Sequence, residues 1–302
     1  MRIAAAVILC GLSAAALPQA ASAYGWEETA LDRYIAALDL NYHYQLLNTV
    51  VADTHTAYLL EVTSQQWRTA EEVDRPIWKH WLTIVRPEQV ATTTSLLIIS
   101  GGSNEKPPPQ QIDPVLTQIA FATNSVVSEI RTVPNQPLVF AGDGNKRTED
   151  AITAYTWERF RTTGDDTWPL CLPMTKSVVR AMDTITSFCA SRDGVAVGKF
   201  VVGGASKRGW TAWTAAAVDK RVVGIVPAVI DLLNLEPSFE DHYRAYGFWA
   251  PAIAEFERTG TTRWAAHTPQ FAALLHIGDP YSYRERLTMP NICATSLTPT
   301  TR

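Results

Sequence analysis

The stretch Lys199–Val229 constrains the fold more than any other part of the sequence. A short apolar strand, Lys199–Val202, leads through Gly203-Gly204-Ala205-Ser206 into a helix predicted over Lys207–Val218, and a second apolar strand, Val222–Val229, follows. A strand, a Gly-x-Ser turn and a helix place the serine on a sharp turn above the edge of a sheet. The return to a strand after the helix indicates two parallel strands joined by a crossover helix.

The same alternation runs through the preceding part of the chain. Two strand-like runs, His55–Val62 and Trp78–Val85, are predicted to form an antiparallel pair. The elements predicted after this pair are the strands Ser95–Ser100, Ser125–Val133 and Leu138–Ala141, and the helices Asp113–Thr123, Thr148–Thr162 and Met174–Ala190. Strands that alternate with helices indicate an α/β fold, in which a largely parallel sheet carries helices on both faces.

The segment 231–284 lacks a strand pattern and is rich in aromatic residues, as in YRAYGFWAPAIAEFE. We predict that it forms a helical cap inserted over the carboxyl ends of the strands. The run Met289–Leu297 has the pattern of the start of one more strand. The predicted organisation is therefore a single domain over 24–302, with the cap at 231–284 and an atypical tail at 291–302.

Residues 1–23 have the pattern of a secretory signal peptide: Met-Arg, an apolar run from Ile3 to Leu17, and the small-residue site Ala21-Ser22-Ala23. The apolar run has about 15 residues, whereas a membrane-spanning helix needs about 20. We therefore expect a secreted protein, extracellular or periplasmic, without a stable membrane span. Because the net charge is −4 and Lys and Arg do not cluster, nucleic acid is not expected as a partner.

Cysteine and histidine spacing predicts neither a metal site nor an internal disulfide. Cys171 and Cys189 flank or lie within one predicted helix whose ends are about 22 Å apart, whereas bridged Cα atoms lie within about 7 Å of each other. No Cys/His cluster has metal-ligand spacing, and no cofactor is expected. The sequence leaves the oligomeric state open.

Ser206 is the candidate nucleophile of an acyl-transfer reaction. Its turn needs small residues on both sides because the backbones approach closely; Gly204 meets this need, whereas Arg208 occupies the place of the second glycine and Gly209 follows one residue later. Lys207, the residue after the serine, is expected to supply one oxyanion-hole N–H. The alternative is a serine that only caps the following helix.

The second oxyanion-hole N–H is expected from the loop after an earlier strand. The strand that ends at Ser100 is followed by Gly101-Gly102-Ser103-Asn104, and its glycines permit close approach of the backbone. Gly102 or Ser103 is the predicted donor.

Several stretches of the chain resemble the PhoPQ-activated pathogenicity-related proteins. They include GGASKRGWTAW, LLIISGGSN, MTKSVVRAMD, VVGIVPAVIDLLN and YRAYGFWAPAI, and the resemblance runs from about Leu31 to Pro290. It implies an α/β-hydrolase fold and a secreted or periplasmic serine hydrolase, with a small-molecule or glycan ester as the substrate class. The turn around Ser206 is also similar to that of carbohydrate-esterase branches of the superfamily, which is an analogy only.

A serine hydroxyl needs a histidine to take its proton and an acid to orient that histidine. In α/β hydrolases these residues follow the serine in the order Asp or Glu, then His. The final residues, NICATSLTPTTR, contain no Asp, Glu or His. We therefore expect a chain truncated relative to the family, with the last strand or strands and the triad partners missing, and weak or absent activity.

Substitutes for the missing partners are available in the chain. Asp231 follows the strand after Ser206 and is the candidate acid, or else a helix cap. The candidate bases in the cap segment, each also interpretable as a surface or packing histidine, are His242, His267 and His276. His43, His55 and His80 come early and fit the role less well. The alternative function is a non-catalytic secreted protein whose tryptophan-rich cap binds glycan or protein ligands.

Overall fold

The computed structural model describes residues 27–230, 233–264 and 268–294. The predicted signal peptide 1–23, the candidate acid Asp231 and the candidate base His267 lie outside these ranges. The predicted tail 291–302 is described only as far as Ala294.

In the part of the chain that the structure describes, the strands run in the order β1 His43–Val51, β2 His55–Gln66, β3 Ile77–Pro87, β4 Thr94–Ile99, β5 Val127–Arg131, β6 Leu138–Val139, β7 Lys146–Arg147, β8 Lys199–Ala205 and β9 Val222–Ala228. Seven of them form one mixed sheet with the order β1-β2-β3-β5-β4-β8-β9. The pairs from β1 to β5 are antiparallel, whereas β5, β4, β8 and β9 are mutually parallel. The part of the sheet that carries Ser206 is therefore the parallel one.

The helices are α1 Ala30–Ala36, α2 Pro114–Thr123, α3 Glu149–Thr163, α4 Cys171–Asp193, α5 Lys207–Val218, α6 Leu235–Tyr246, α7 Ala254–Arg258, α8 Thr261–Trp264 and α9 Pro269–Gly278. Short 3₁₀ helices occupy Pro251–Ile253 and Pro280–Tyr283.

Alternation along β4 shows that the sheet is covered on both faces, since successive side chains point to opposite sides. Leu97 and Ile99 join the large core that includes α4 and α5, whereas Leu96 and Ile98 pack against the smaller core that includes α2. The predicted α/β fold class, a mostly parallel sheet with helices on both faces, is confirmed.

Three elements differ from the sequence prediction. Strand β1 was not predicted; it lies at the sheet edge with most positions exposed, and a register shift between Leu46 and Asn48 interrupts its alternation. The run predicted as Leu138–Ala141 is shorter, and it pairs with β7 in a separate two-stranded sheet. Helix α4 begins at Cys171, before the predicted Met174, because Pro173 lies in its first turn, where the missing N–H leaves no helical bond unmade.

Beyond β9, a further segment continues the sheet in parallel. Ile225 N–H donates to Pro290 O at 3.1 Å, Ile292 N–H donates to Ile225 O at 3.0 Å and Ala294 N–H donates to Pro227 O at 3.1 Å. This agrees, over the described residues, with the prediction that Met289–Leu297 begins another strand. Between β9 and this segment, the described residues form helices and turns without a strand.

Three findings of the described ranges concern membrane spans, cysteines and metal ligands. Within 27–230, 233–264 and 268–294, no helix combines the length and the apolar composition that a membrane span requires. Cys171 and Cys189 are buried on α4 and are not joined by a disulfide, and Cys293 is exposed. In the same ranges, no group of three or more His, Cys, Asp or Glu side chains is arranged to hold a metal ion.

Candidate active site

Ser206 stands between the end of β8 and the start of α5 in a strained backbone conformation. Its φ is 56° and its ψ is −127°, a combination that costs a non-glycine residue about 1–3 kcal/mol. The turn is fixed by two backbone hydrogen bonds: Ser206 N–H donates to Ala228 O at 2.8 Å, and Trp210 N–H donates to Ser206 O at 3.0 Å. The Ser206 side chain makes no capping hydrogen bond to the helix, which removes the evidence for a mere capping serine.

The two glycines around Ser206 meet different neighbours. A Cβ at Gly204 would lie 2.7 Å from Arg208 Cβ and 2.8 Å from the Arg208 carbonyl oxygen. A Cβ at Gly209 would lie 2.7 Å from Ile230 Cγ2, 3.0 Å from Gly204 O and 3.2 Å from Ala228 N. Gly209 is thus a residue at which α5 approaches the backbone of β8 and β9 closely. The glycine displaced by one position therefore serves the close approach that the sequence motif requires.

Two cations of α5 pair with two anions at the start of α3. Lys207 Nζ lies 2.7 Å from Asp150 Oδ1 and 3.5 Å from Glu149 Oε2. Arg208 donates two hydrogen bonds to the Glu149 carboxylate, one of them 2.9 Å long. Burial acts to raise the pKa of Glu149, but the hydrogen bond and charge of Arg208 outweigh it and hold the pKa below its usual value. The carboxylate is therefore ionised throughout the neutral range.

Ser206 borders a cavity of about 340 Å³ between the sheet edge and the helices that follow β9. Its wall is largely aromatic and aliphatic, with Trp157, Trp210, Phe239 and Phe256 among the lining residues. The charged and polar side chains on the wall, besides Ser206, are Asp150, Lys207, Ser238 and His242. A concave, mostly apolar site with a few converging polar groups is the usual form of a small-molecule site.

The backbone around Gly102 is oriented toward the same edge of the sheet. Thr132 N–H donates to Gly101 O at 3.1 Å, on the β5 side of β4. Because a trans peptide group is planar, with its N–H opposite its C=O, the Gly102 N–H points to the other side, where β8 lies. A Cβ at Gly102 would lie 3.0 Å from Thr132 Oγ1. Neither Gly102 nor Ser103 is among the residues that line the cavity around Ser206.

Ser103 is engaged in a local turn. Its hydroxyl accepts a hydrogen bond from Glu105 N–H at 3.2 Å, and its carbonyl accepts one from Lys106 N–H at 3.1 Å. Lys207, the other predicted donor, is the first residue of α5, so its N–H has no carbonyl partner within the helix. Of the two alternatives for the second donor, Gly102 is the one whose N–H is directed to the β8 side by the hydrogen bond on the Gly101 carbonyl.

The described histidines differ in their relation to Ser206. His242 on α6 borders the same cavity, but its Nε2 accepts a hydrogen bond from Ala250 N–H at 3.1 Å. A neutral ring that accepts at Nε2 carries its proton on Nδ1 and has no second acceptor. His276 is exposed at the end of α9.

The three early histidines lie on the first strands, away from the cavity. His43 begins β1, His55 begins β2, and His80 is buried in β3. His80 is held between Ser64 and the Thr132 carbonyl, and its burial lowers its pKa to about 4. The pairing of His80 with two fixed partners is that of a packing residue.

The predicted acid Asp231 lies outside the described residues, but the chain that leads to it is strained. Val229 has a φ of 48°, which is rare for a β-branched residue. Ile230 follows on the cavity wall. Strain at both Ser206 and Val229 is therefore concentrated at the carboxyl edge of the parallel strands, where α/β sheets bind ligands.

Sequence reasoning did not identify Glu149 and Asp150 as partners of the turn. The signal was present, because two acidic residues at a helix start match two consecutive cations after Ser206. To pair these acidic residues with Lys207 and Arg208, one must know that α3 begins beside α5, and only the tertiary structure shows this.

The chain is similar in sequence to a protein family and to a known protein. A family model described as PhoPQ-activated pathogenicity-related protein matches residues 31–296. The chain is 42% identical over 264 residues to autocrine proliferation repressor protein A of Dictyostelium discoideum, which covers 87% of this chain and 53% of that protein. The chain thus spans about half the length of that relative.

Among solved structures, the fold is similar to an acetyl xylan esterase from Paenibacillus sp. R4, with a TM-score of 0.48, 15% identity and coverage of 88% of this chain and 84% of that one. A glucuronoyl esterase from Solibacter usitatus gives a TM-score of 0.45, 13% identity and coverage of 94% and 93%. Neither likeness assigns a substrate to this chain. The match of the family model over most of the sequence shows that the chain belongs to the PhoPQ-activated pathogenicity-related protein family.

Proposed function

We propose that this protein is a serine-hydrolase-like protein in which Ser206 is the nucleophile of ester hydrolysis and turnover is slow. The observation that carries the proposal is the strained backbone of Ser206 on the strand-to-helix turn, with a hydroxyl that caps nothing and borders a cavity. Strain of this kind persists only where the surrounding structure imposes it, and it is concentrated at functional sites. A serine that only capped α5 would need neither the strain nor the cavity.

In the proposed reaction, Ser206 Oγ attacks the carbonyl carbon of an ester and forms a tetrahedral oxyanion while its proton leaves to a base. The carbonyl re-forms as the bond to the alcohol oxygen breaks, and the alcohol leaves with a proton. Water then attacks the acyl-serine: its hydroxyl joins the acyl group, its other proton returns to Ser206 Oγ as the bond to the serine breaks, and the carboxylic acid is released. The N–H groups of Lys207 and Gly102, with the N-terminus of α5, would stabilise the oxyanion.

Slow turnover is proposed because the described residues do not supply the histidine of a triad. Such a histidine would be held by a carboxylate and would present a free acceptor nitrogen to Ser206. His242 is the histidine on the cavity wall, and its Nε2 is already engaged by Ala250 N–H. Loss of the triad base costs a serine hydrolase several orders of magnitude in rate, yet the oxyanion hole and substrate binding leave a residual rate well above that in water.

The cavity favours a neutral ester as substrate. Lys207 and Asp150 on its wall compensate each other at 2.7 Å, so neither is left to attract an ionised substrate. The aromatic wall suits a small apolar acyl group. A small-molecule or glycan ester with an uncharged acyl group is the class we propose.

A fluorophosphonate probe tests the nucleophile directly. We expect slow labelling of the purified protein that is abolished by Ser206→Ala and retained by Ser238→Ala, a matched control because Ser238 borders the same cavity. Labelling that survives Ser206→Ala would refute the assignment. Labelling as fast as that of an esterase with a complete triad would refute slow turnover.

A second candidate function, non-catalytic ligand binding, is favoured by the outer side of α6. A second cavity of about 530 Å³ there is lined by the aromatic side chains of Phe239, Tyr243, Trp249 and Phe271, with acidic and basic residues around them. Aromatic faces beside charged hydrogen-bonding groups suit sugars or a protein segment. The Dictyostelium relative is named as an autocrine proliferation repressor, which also motivates a binding function.

The two functions separate experimentally. If binding is the function, a panel of neutral oligosaccharides will show saturable binding in calorimetry that is unchanged by Ser206→Ala and weakened by Trp249→Ala. Binding that is lost in Ser206→Ala and kept in Trp249→Ala would assign the ligand to the Ser206 cavity instead.

We also propose that the protein is exported after cleavage near Ala23, a proposal supported by the signal-peptide pattern alone. N-terminal sequencing of the protein secreted by an expressing cell is expected to begin near Tyr24. Retention of the full-length chain inside the cell would contradict export.

A further inference from the structure

Arg208 takes the place of the second glycine of the turn and is held by several polar contacts. Its side chain is 11% exposed, its Nε donates to Val133 O at 2.6 Å, and its two terminal nitrogens donate to the Glu149 carboxylate. The guanidinium lies against Gly101, where an added Cβ would be 2.7 Å from Nη2. Arg208 therefore spans the gap between the turn of Ser206 and the loop that follows β4.

The contacts continue from Glu149 to the backbone of that loop through Gln136. The side-chain nitrogen of Gln136 donates one hydrogen to Glu149 Oε1 at 2.7 Å and one to Gly102 O at 3.2 Å. Its side-chain oxygen accepts from Glu149 N–H at 2.8 Å. Glu149 itself has a φ of 50°, a conformation that a non-glycine residue keeps only when its surroundings impose it. A continuous chain of hydrogen bonds thus joins Arg208 to Gly102.

Two consecutive peptide groups of the loop are fixed as a result. Thr132 N–H holds the Gly101 carbonyl at 3.1 Å, and Gln136 holds the Gly102 carbonyl. Because each peptide group is planar, fixing its carbonyl fixes the direction of the N–H of the next residue. The N–H groups of Gly102 and Ser103 therefore have set directions before any ligand arrives.

The geometry points to Arg208, Glu149 and Gln136 as positioning residues that join the nucleophile turn to the Gly101–Ser103 loop. Through Gln136 they fix the Gly102 carbonyl, and so hold in place the loop whose Gly102 N–H, directed by the Thr132 contact, is the oxyanion donor. This inference rests on the proposed function, since an oxyanion donor matters only if Ser206 is acylated or phosphonylated. It gives a reason for arginine at this position: a glycine there would leave the loop without its connection to the turn.

A purely structural role for the ion pair is the competing explanation, and the chain contains a matched control for it. Arg68 is also 11% exposed, and it also donates two hydrogen bonds to a single carboxylate, that of Glu72. It lies just after β2 and has no contact with the residues of the Ser206 cavity among those described for it. Replacing each arginine by lysine keeps the charge and removes the two-pronged geometry.

The test compares Arg208→Lys, Glu149→Gln and Arg68→Lys by the rate of fluorophosphonate labelling at Ser206. One oxyanion donor is worth roughly 100- to 1,000-fold in rate, so its misplacement is expected to lower labelling about 10- to 100-fold in the first two variants. Arg68→Lys should label at the parent rate even if its melting temperature falls. Equal rates in parent, Arg208→Lys and Glu149→Gln would overturn the inference while leaving Ser206 as the nucleophile.

Hydrogen–deuterium exchange of the loop 100–106 supplies a readout that does not depend on reactivity. Arg208→Lys and Glu149→Gln should accelerate exchange in this loop, and Arg68→Lys should not. If the parent protein fails to label at Ser206, the proposed function fails, and the exchange data alone decide whether these residues order the loop. Unchanged exchange in both loop variants would then refute their positioning role.

Discussion

Replacing Gly209 by alanine tests whether the displaced glycine is the close-approach residue of the Ser206 turn. The new Cβ would lie 2.7 Å from Ile230 Cγ2, 3.0 Å from Gly204 O and 3.2 Å from Ala228 N. Two of these three atoms belong to the backbone of the neighbouring strands, so the side chains alone cannot relieve the overlap. Overpacking of this kind costs about 1–3 kcal/mol, and we expect the upper end of that range.

A gain in helix propensity offsets part of this cost. Alanine is favoured over glycine within a helix by about 1 kcal/mol, so the net loss expected for Gly209→Ala is about 2 kcal/mol. With a shift of about 2–4 °C per kcal/mol for a domain of roughly this size, the melting temperature should fall by about 4–8 °C.

Gly198→Ala is the matched control, because an added Cβ there meets no heavy atom within 4 Å. Its φ also lies outside the range that disfavours side chains, so the substitution should be neutral or stabilise by up to about 1 kcal/mol through the unfolded state. Thermal and urea unfolding of the two variants beside the parent provide the measurement. Equal stability of Gly209→Ala and Gly198→Ala would refute the close-approach argument.

Three further predictions concern the residues around this turn and the buried polar groups. Arg208→Gly restores Gly-x-Ser-x-Gly but leaves Glu149 without its main partner, so urea unfolding should show a loss of about 1–3 kcal/mol; a variant as stable as the parent would contradict this. Burial lowers the pKa of His80 in the folded protein to about 4, against an ordinary value of 6.5. The unfolded chain therefore takes up its proton first, and stability present above pH 6.5 should be lost as the pH falls toward 4. By pH 5 the loss is roughly 2 kcal/mol; His80→Gln should flatten this dependence, and an unchanged slope would argue against it. Asp279 accepts hydrogen bonds from the N–H groups of Asn234, Leu235 and Tyr281. Asp279→Ala should therefore destabilise the protein by about 2 kcal/mol and accelerate hydrogen exchange in α6. Exchange in α6 at the parent rate would show that other contacts hold this helix.

The sequence predicted the parallel half of the sheet well because burial and chain order act together there. Strands β4, β8 and β9 are short apolar runs; Gly101 and Gly102 follow β4 closely, and helix α5 follows β8 after Ser206. Strand β1 escaped prediction because an edge strand buries little and shows no clear period of two. The two-residue strands β6 and β7 depend on pairing with each other, and no local sequence pattern indicates that pairing.

Prediction of the site succeeded where function depends on local backbone and failed where it depends on distant side chains. The strained turn of Ser206 and the role of Gly209 were foreseeable from the spacing of glycines. The hydrogen bonds of Glu149 with Arg208 and with Gln136 were not, since they join residues 59 and 13 positions apart along the chain. The position of His242 on the cavity wall likewise follows from the course of α6 and not from any motif.

The most direct test of the account is acid-quench mass spectrometry after exposure to a p-nitrophenyl ester of a small apolar acid. Such an activated ester acylates a nucleophile without much help from a base, whereas hydrolysis of the acyl-serine needs one. We predict that one acyl group accumulates per chain, on the peptide that contains Ser206, while turnover stays slow. An acyl group on Lys207 or on another serine, or no acylation at all, would contradict the assignment of Ser206 as the nucleophile.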